Sequence, residues 1–158
     1  MVERHSDVDW LAESIELSKR CTPTYSAFCV GAIVVSGSGQ MIAQGYSRRS
    51  DPNDHAEEAA LADAAFAGAD LTGATLYTSL EPCLRRVSRP VPCSELILRS
   101  GIMRVVFAWH EPPIFQPGGG AAWLEEHGVT VIEVPDLAPA AEAVNQEVLA
   151  EHRRTPPR

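Results

Sequence analysis

The sequence predicts an α/β protein of the three-layer αβα type: a five-stranded mixed sheet with helices on both faces. Three observations carry this. After an opening strand hairpin, helices and strands alternate, the pattern of one sheet covered on both sides. The chain has 158 residues, about one ordinary domain. Its composition, 45% hydrophobic and 22% charged, is that of a globular protein which folds without disulfide staples. Residues 1–153 are therefore expected to form a single domain, with 154–158 (Arg-Thr-Pro-Pro-Arg) as a frayed tail.

Each element has a local reason. Ser6 or Asp7 can cap a first helix running to about Arg20, with Val8, Leu11 and Ile15 on one side. Residues 28–35 (FCVGAIVV) read as a strand buried on both faces. Ser36-Gly37-Ser38-Gly39 turns the chain, and Met41 to Tyr46 return as the second strand of a hairpin. An Ala-rich helix follows from His55, with Leu61 and Ala65 on one face beside Ala62 and Phe66. Thr75 to Ser79 form a third strand, and Cys93 to Ser100 a short helix closed by Gly101. Arg104 to Ala108 are a fourth strand, Gly118 to Gly120 a flexible hinge, and Ala121 to Glu126 a helix. Val129 to Val134 make the fifth strand, and one last helix spans about Pro139 to Arg153.

Charge narrows the function. The net charge is −8 and the pI near 5.0, which argues against generic binding to nucleic acid or to an anionic membrane. No apolar run approaches the roughly 18 residues of a membrane span. The first residues lack an apolar signal region, so the expected location is the cytoplasm. There, four cysteines are better candidates for metal binding or catalysis than for disulfides. Cys29 lies in an apolar strand and reads as core packing, while Cys21 has no evident partner.

Three soft-metal ligands stand at strand-to-helix junctions. His55 opens the Ala-rich helix, Cys83 follows Pro82 after the third strand, and Cys93 follows Pro92 at the next helix start. Proline is tolerated in a first helical turn, and helix N-termini favour thiolate. A neutral imidazole and two thiolates suit Zn²⁺, and three protein ligands leave the fourth position open, as in a catalytic site. Hydrolysis there needs a proton carrier, and Glu57 is the obvious carboxylate. Residues i and i+2 do not share a helix face, so His55 must sit at the helix edge with Glu57 in the first turn. The spacing excludes the HExxH arrangement of metalloproteases.

His55-Ala56-Glu57, Glu81-Pro82-Cys83 and Cys93 together resemble the zinc-dependent cytidine-deaminase-like superfamily. Within it the chain is most similar to the deaminase part of the riboflavin-pathway pyrimidine deaminases. The similarity runs over residues 8–134 through VGAIVV (30–35), GY (45–46), HAEEAAL (55–61), GATLYTSLEPC (73–83), RPVPCSELILRSGIMRVVFA (89–108) and GVTVIEV (128–134). The resemblance implies a hydrolytic deaminase of a small amino-pyrimidine or related heterocycle, possessing one Zn²⁺ and assembling as a dimer. It also implies that the Cys83 N–H helps hold the attacking hydroxide. Other substrates consistent with the pattern are a cytidine or deoxycytidylate-like compound, a free base such as cytosine or guanine, and a secondary-metabolite precursor. A nucleic-acid editing deaminase fits poorly with the net charge, and a non-catalytic zinc module would not require Glu57. The chain ends without the reductase half found in many riboflavin enzymes, so a free-standing deaminase is expected.

The departures from that family fall where substrate is held. Thr24 to Cys29 replace Pro-Asn-Pro, Leu84-Arg85 replace Ser-His, and Glu111-Pro112-Pro113 replace Asp-Pro-Asn. The step from Cys83 to Cys93 is slightly longer than usual. Arg85, Arg86 and Arg89 lie within it and could hold a substrate phosphate or carboxylate, or form a solvated loop. Phe28, Trp109 and His110 are candidate contacts to a heteroaromatic ring, although aromatics beside strands also serve as core.

Overall fold

The computed structural model describes residues 4–154. Its elements are α1 (Asp7–Ser18), β1 (Gly31–Val35), β2 (Met41–Tyr46), α2 (Ala56–Phe66), β3 (Thr75–Leu80), α3 (Cys93–Ser100), β4 (Arg104–Trp109), α4 (Gly120–Glu126) and β5 (Thr130–Glu133). A short 3-10 turn (Pro135–Leu137) then leads into α5 (Ala138–Val144) and α6 (Gln146–Arg154). The sheet order is β2-β1-β3-β4-β5. β1 is antiparallel to both neighbours, whereas β3, β4 and β5 run parallel. The expected five-stranded mixed sheet is therefore the one observed. Helices α2, α3 and α4 pack in sequence on one side, and α1 meets α5. Among the described residues no helix is long and apolar enough to cross a membrane.

Register decides where a site can form. Leu80 of β3 lies beside Trp109 of β4, so both parallel strands release their chains at the same edge. β1 runs the other way, which brings its start at Gly31 beside Tyr46, the end of β2. Four chain segments thus converge on one sheet edge: 26–30, 46–55, 80–83 and 109–116. That is the position where open α/β sheets hold ligands.

The core lies between sheet and helices, with Leu11, Ile33, Leu76, Ile97, Val105, Val106, Phe107 and Leu124 almost completely buried. α1 starts as expected at Ser6, which accepts from the Asp9 N–H while Asp9 accepts from the Ser6 N–H. Its buried face differs from the expected one. Val8 is exposed, and Trp10, Ser14, Leu17 and Ser18 join Leu11 and Ile15 inside. The serine hydroxyls return to the carbonyls of Leu11 and Ile15, which lets them lie against the sheet without unpaired polar atoms. α2 is also turned from expectation: Phe66 is 97% exposed, and the inner face is Ala56, Glu57, Ala59, Ala60 and Ala64. The reason is Gly45. A Cβ there would lie 2.6 Å from the Ala56 carbonyl and from the Ala60 nitrogen, so helix and strand touch backbone to backbone. Only small side chains fit such an approach.

Three further expectations are corrected. The last helix is two helices, because Asn145 turns away to bind the backbone of Cys29: its Oδ1 accepts from the Cys29 N–H at 2.6 Å and its Nδ2 donates to the Cys29 carbonyl at 3.0 Å. Arg154 belongs to α6, and residues 155–158 of the expected tail lie outside the described residues. Gly118 to Gly120 are not a flexible hinge. Gly120 is pressed against the Pro82 carbonyl with no room for a Cβ, which docks the start of α4 onto the loop that carries Cys83.

Candidate active site

His55 caps α2 in extended backbone conformation (φ −87°, ψ 156°), so its imidazole leaves the helix path. Glu57, two residues later, can then face the same space as required. Cys83 lies three residues past the end of β3, and Cys93 is the first residue of α3. The Cys83 sulfur accepts the Cys93 N–H at 3.2 Å, and the Cys83 carbonyl accepts the Ser94 N–H at 3.1 Å. The α3 N-terminus therefore points at the first cysteine. His55 Nδ1 is 3.5 Å from Cys83 Sγ and 3.4 Å from Cys93 Sγ. Tetrahedral zinc with ordinary Zn–N and Zn–S bonds separates such donors by about 3.5 Å. All three donor atoms lie within 4.8 Å of one another, so the donor set and its spacing fit zinc. Cys83 is held down at about 4, first by the Cys93 thiol that donates to it, then by His55. Cys93, which gives that hydrogen bond and is completely buried, is correspondingly raised.

Glu57 is buried beside this cluster, and its Oε1 accepts from the Thr78 hydroxyl at 2.9 Å. Burial raises its pKa above the usual carboxylate range. That is the direction needed by a group that must both take and give a proton near neutral pH. Thr78 was not foreseen, since a threonine inside an apolar strand carries no local mark.

His55, Glu57 and Cys83 line a cavity of about 500 Å³, within the ~300–1,000 Å³ of small-molecule sites. Phe28 and Arg85 also line it, as does Arg86, while Arg89, Trp109 and His110 do not. Trp109 instead packs edge-on against Phe28 at 5.2 Å, behind the wall. His110 is exposed and lies between Glu81 and Glu133. Arg86 and Arg89 are engaged by Asp51, Asp54 and Glu58. Arg85 is exposed, with no ion-pair partner among the described residues. Ile114 and Phe115 complete the apolar wall, Phe115 meeting Phe28 edge-on at 5.0 Å.

Two acidic residues went unrecognised as site components. Glu81 is buried, and its two oxygens accept the N–H groups of Glu111 and Ala121. It thereby fixes both the loop after β4 and the start of α4. Glu111 lines the cavity with Oε2 unpartnered, and burial first, then the nearby Cys83, Glu57 and Glu81, pushes it up to about 8. Cys21 and Cys29 are joined in a disulfide, where the sequence suggests core packing for Cys29 and no partner for Cys21. Arg48, in the left-handed region at φ 59°, lies over this bond and donates to Cys21 Sγ and to the carbonyls of Thr22 and Phe28.

A buried carboxylate beside one imidazole and two thiols, at the strand ends of an αβα sheet, is the arrangement of the zinc-dependent deaminases, which hydrolyse an amino group from a ring. Comparison with known proteins agrees. The chain belongs to the cytidine and deoxycytidylate deaminase family, whose zinc-binding region matches residues 4–109. It is 36% identical over 135 residues to the diaminohydroxyphosphoribosylamino-pyrimidine deaminase of Schizosaccharomyces pombe, covering 84% of this chain and 33% of that one. It is 32% identical over 127 residues to the protein of the same name from Buchnera aphidicola (subsp. Acyrthosiphon pisum), covering 80% and 82%. The chain thus spans about a third of the yeast relative and most of the Buchnera one. Among solved structures, the diaminohydroxyphosphoribosylaminopyrimidine deaminase/5-amino-6-(5-phosphoribosylamino)uracil reductase of Thermotoga maritima superposes with a TM-score of 0.80 at 32% identity, covering 93% of this chain and 41% of that one.

Proposed function

We propose that the protein is a zinc-dependent hydrolytic deaminase releasing ammonia from a small phosphorylated amino-pyrimidine, the riboflavin-pathway substrate named for its relatives. The carrying observation is Glu57: a buried carboxylate, held by Thr78, beside three donors spaced for tetrahedral zinc in an open cavity of small-molecule size. His55, Cys83 and Cys93 would hold the metal, which supplies Lewis acidity that brings hydroxide chemistry within reach of neutral pH. Glu57 would take one proton from the attacking water and pass it to the ring nitrogen, then carry the second proton, from the hydroxyl of the adduct, to the amine that leaves as ammonia. Its raised affinity for a proton serves both halves of that cycle. Phe28 offers an edge to the substrate ring, and Arg85 offers its charge to a phosphate at the mouth. Residues 1–153 would act as one catalytic domain. The proposal extends to a cytoplasmic homodimer, on the family resemblance.

A second substrate class is favoured by one observation. Two of the three loop arginines are already neutralised by acidic residues, which leaves the mouth less cationic than the sequence implies. An uncharged nucleoside or free base fits such a mouth. The test is zinc content followed by ammonia release from the phosphoribosylated diaminopyrimidine, cytidine, deoxycytidylate, cytosine and guanine. One zinc per chain and preferred turnover of the phosphorylated pyrimidine are expected. Preferred turnover of a base or nucleoside would transfer the assignment to the second class, and a protein without zinc and without ammonia release would end both.

A further inference from the structure

The three metal ligands come from two separate parts of the chain: His55 lies 28 residues from Cys83 and 38 from Cys93. The segment entering α2 is acidic, with Asp51, Asp54 and Glu58 around His55, whereas the loop between the cysteines is basic. We infer that Arg86 and Arg89 are positioning residues for the metal site, a charged clasp that holds segment 51–58 against the Cys83–Cys93 loop and so sets His55 opposite the two sulfurs. This rests on the zinc reading above.

The contacts are specific. Arg86 has a side chain only 2% exposed. Its Nη2 donates to the Asn53 carbonyl at 2.6 Å and to Glu58 Oε1 at 3.3 Å, and its Nε donates to Ser88 within its own loop. Glu58 Oε1 in turn accepts the backbone N–H of His55 at 3.4 Å. A continuous path therefore runs from the cysteine loop through Arg86 and Glu58 to the backbone of the third ligand. Arg89 closes the other side, donating to Asp54 at 3.1 Å and lying 3.3 Å from Asp51 and 3.6 Å from Glu58. Both guanidiniums converge on Glu58, the neighbour of Glu57. Arg86 also lines the cavity and keeps one nitrogen, Nη1, without a partner, whereas Arg85 is exposed and has no ion pair among the described residues.

A planar guanidinium can hold a carbonyl and a carboxylate at once, which a lysine ammonium does with less geometric control. The distances between the donors are thus kept by the protein rather than imposed by the metal. A clasp of this kind acts on metal affinity, where loss of an outer partner typically costs about 10–100-fold.

The experiment measures zinc affinity of the metal-free full chain by competition with a chromophoric chelator, for wild type, Arg86→Met, Arg86→Lys and the milder Arg89→Gln. Circular dichroism confirms the fold, and cobalt(II) spectra report the ligand set. Arg86→Met is expected to bind zinc about 10–100-fold more weakly, Arg86→Lys to recover part of the loss, and Arg89→Gln to fall between wild type and Arg86→Met. At saturating zinc the KM of Arg89→Gln should stay within about twofold of wild type, since Arg89 does not line the cavity. If Arg86→Met fails to fold, Arg89→Gln carries the decision. Zinc affinity unchanged in the folded variants overturns the clasp, as does a raised KM with normal affinity, which would make these residues substrate contacts. Wild type that takes up no zinc would overturn the metal reading itself, a result distinct from both.

Discussion

The two walls of the cavity are built on different principles. The reactive wall, His55, Glu57 and Cys83, is mounted on a helix start and on the chain just past a strand end. Its helix α2 touches β2 backbone to backbone at Gly45. The opposite wall, Ser26 to Phe28, Arg85 to Ser88 and Ile114 to Gln116, is loop throughout and is held by cross-links between distant segments. Arg48, Asn145 and the Cys21–Cys29 bond hold the segment at 26–28, and Arg86 ties 85–88 to Asn53 and Glu58. The candidate chemistry sits at the ends of regular elements, and the candidate recognition surface on irregular segments between them.

This contrast can be broken most decisively at Glu57. Glu57→Gln keeps the shape and can still accept from Thr78, yet it cannot carry a proton. Ammonia release should fall by about 10²–10⁴-fold with zinc content and secondary structure retained. Near-normal turnover would show that the reactive wall is not where the proton moves. A smaller effect sharpens the contrast from the same side. Gly45→Ala places a methyl against two backbone atoms of α2, so the helix must lift. A stability loss of about 3 kcal/mol is expected, the upper end for overpacking. It should be visible in thermal melts and accompanied by a lower kcat at similar KM. The loop wall gives the converse. Reducing the Cys21–Cys29 bond, or replacing both by Ser, opens a short ring and should cost about 2.5 kcal/mol by loss of loop-closure restraint. KM should rise severalfold while kcat holds, because Ser26 to Phe28 lie inside that ring and His55 to Glu57 do not. An unchanged KM would mean that Arg48 and Asn145 hold the wall by themselves.

The same division explains what the sequence revealed. The strands, the turn at Gly101 and the three ligands at element junctions follow from local rules, since periodicity and helix-start chemistry act over a few residues. Thr78 and Glu81 did not stand out because a buried polar residue shows its purpose only when its partner is in place. Arg86 and Arg89 read as free charge because their acidic partners lie more than 25 residues away. Helix propensity ran straight through Asn145, whose side chain prefers a backbone 116 residues distant. Nor could an eight-residue separation identify Cys21 and Cys29 as a bonded pair. Phe66 and Val8 looked like core by helical spacing, and lost that place to alanines and serines because a close backbone approach leaves no space for larger groups.

The reach of Asn145 has a consequence for biosynthesis. Its amide serves Cys29 as a neighbouring strand would, accepting the N–H and donating to the carbonyl. On the ribosome, His55, Cys83 and Cys93 have all been translated by residue 93 and the last strand of the sheet by residue 133. Residue 145 follows later still. A nascent chain can therefore assemble the reactive centre while the segment around Cys29 still lacks its hydrogen-bonding partner. The segment around Cys29 is thus completed from the C-terminal side, after the five strands of the sheet have been made.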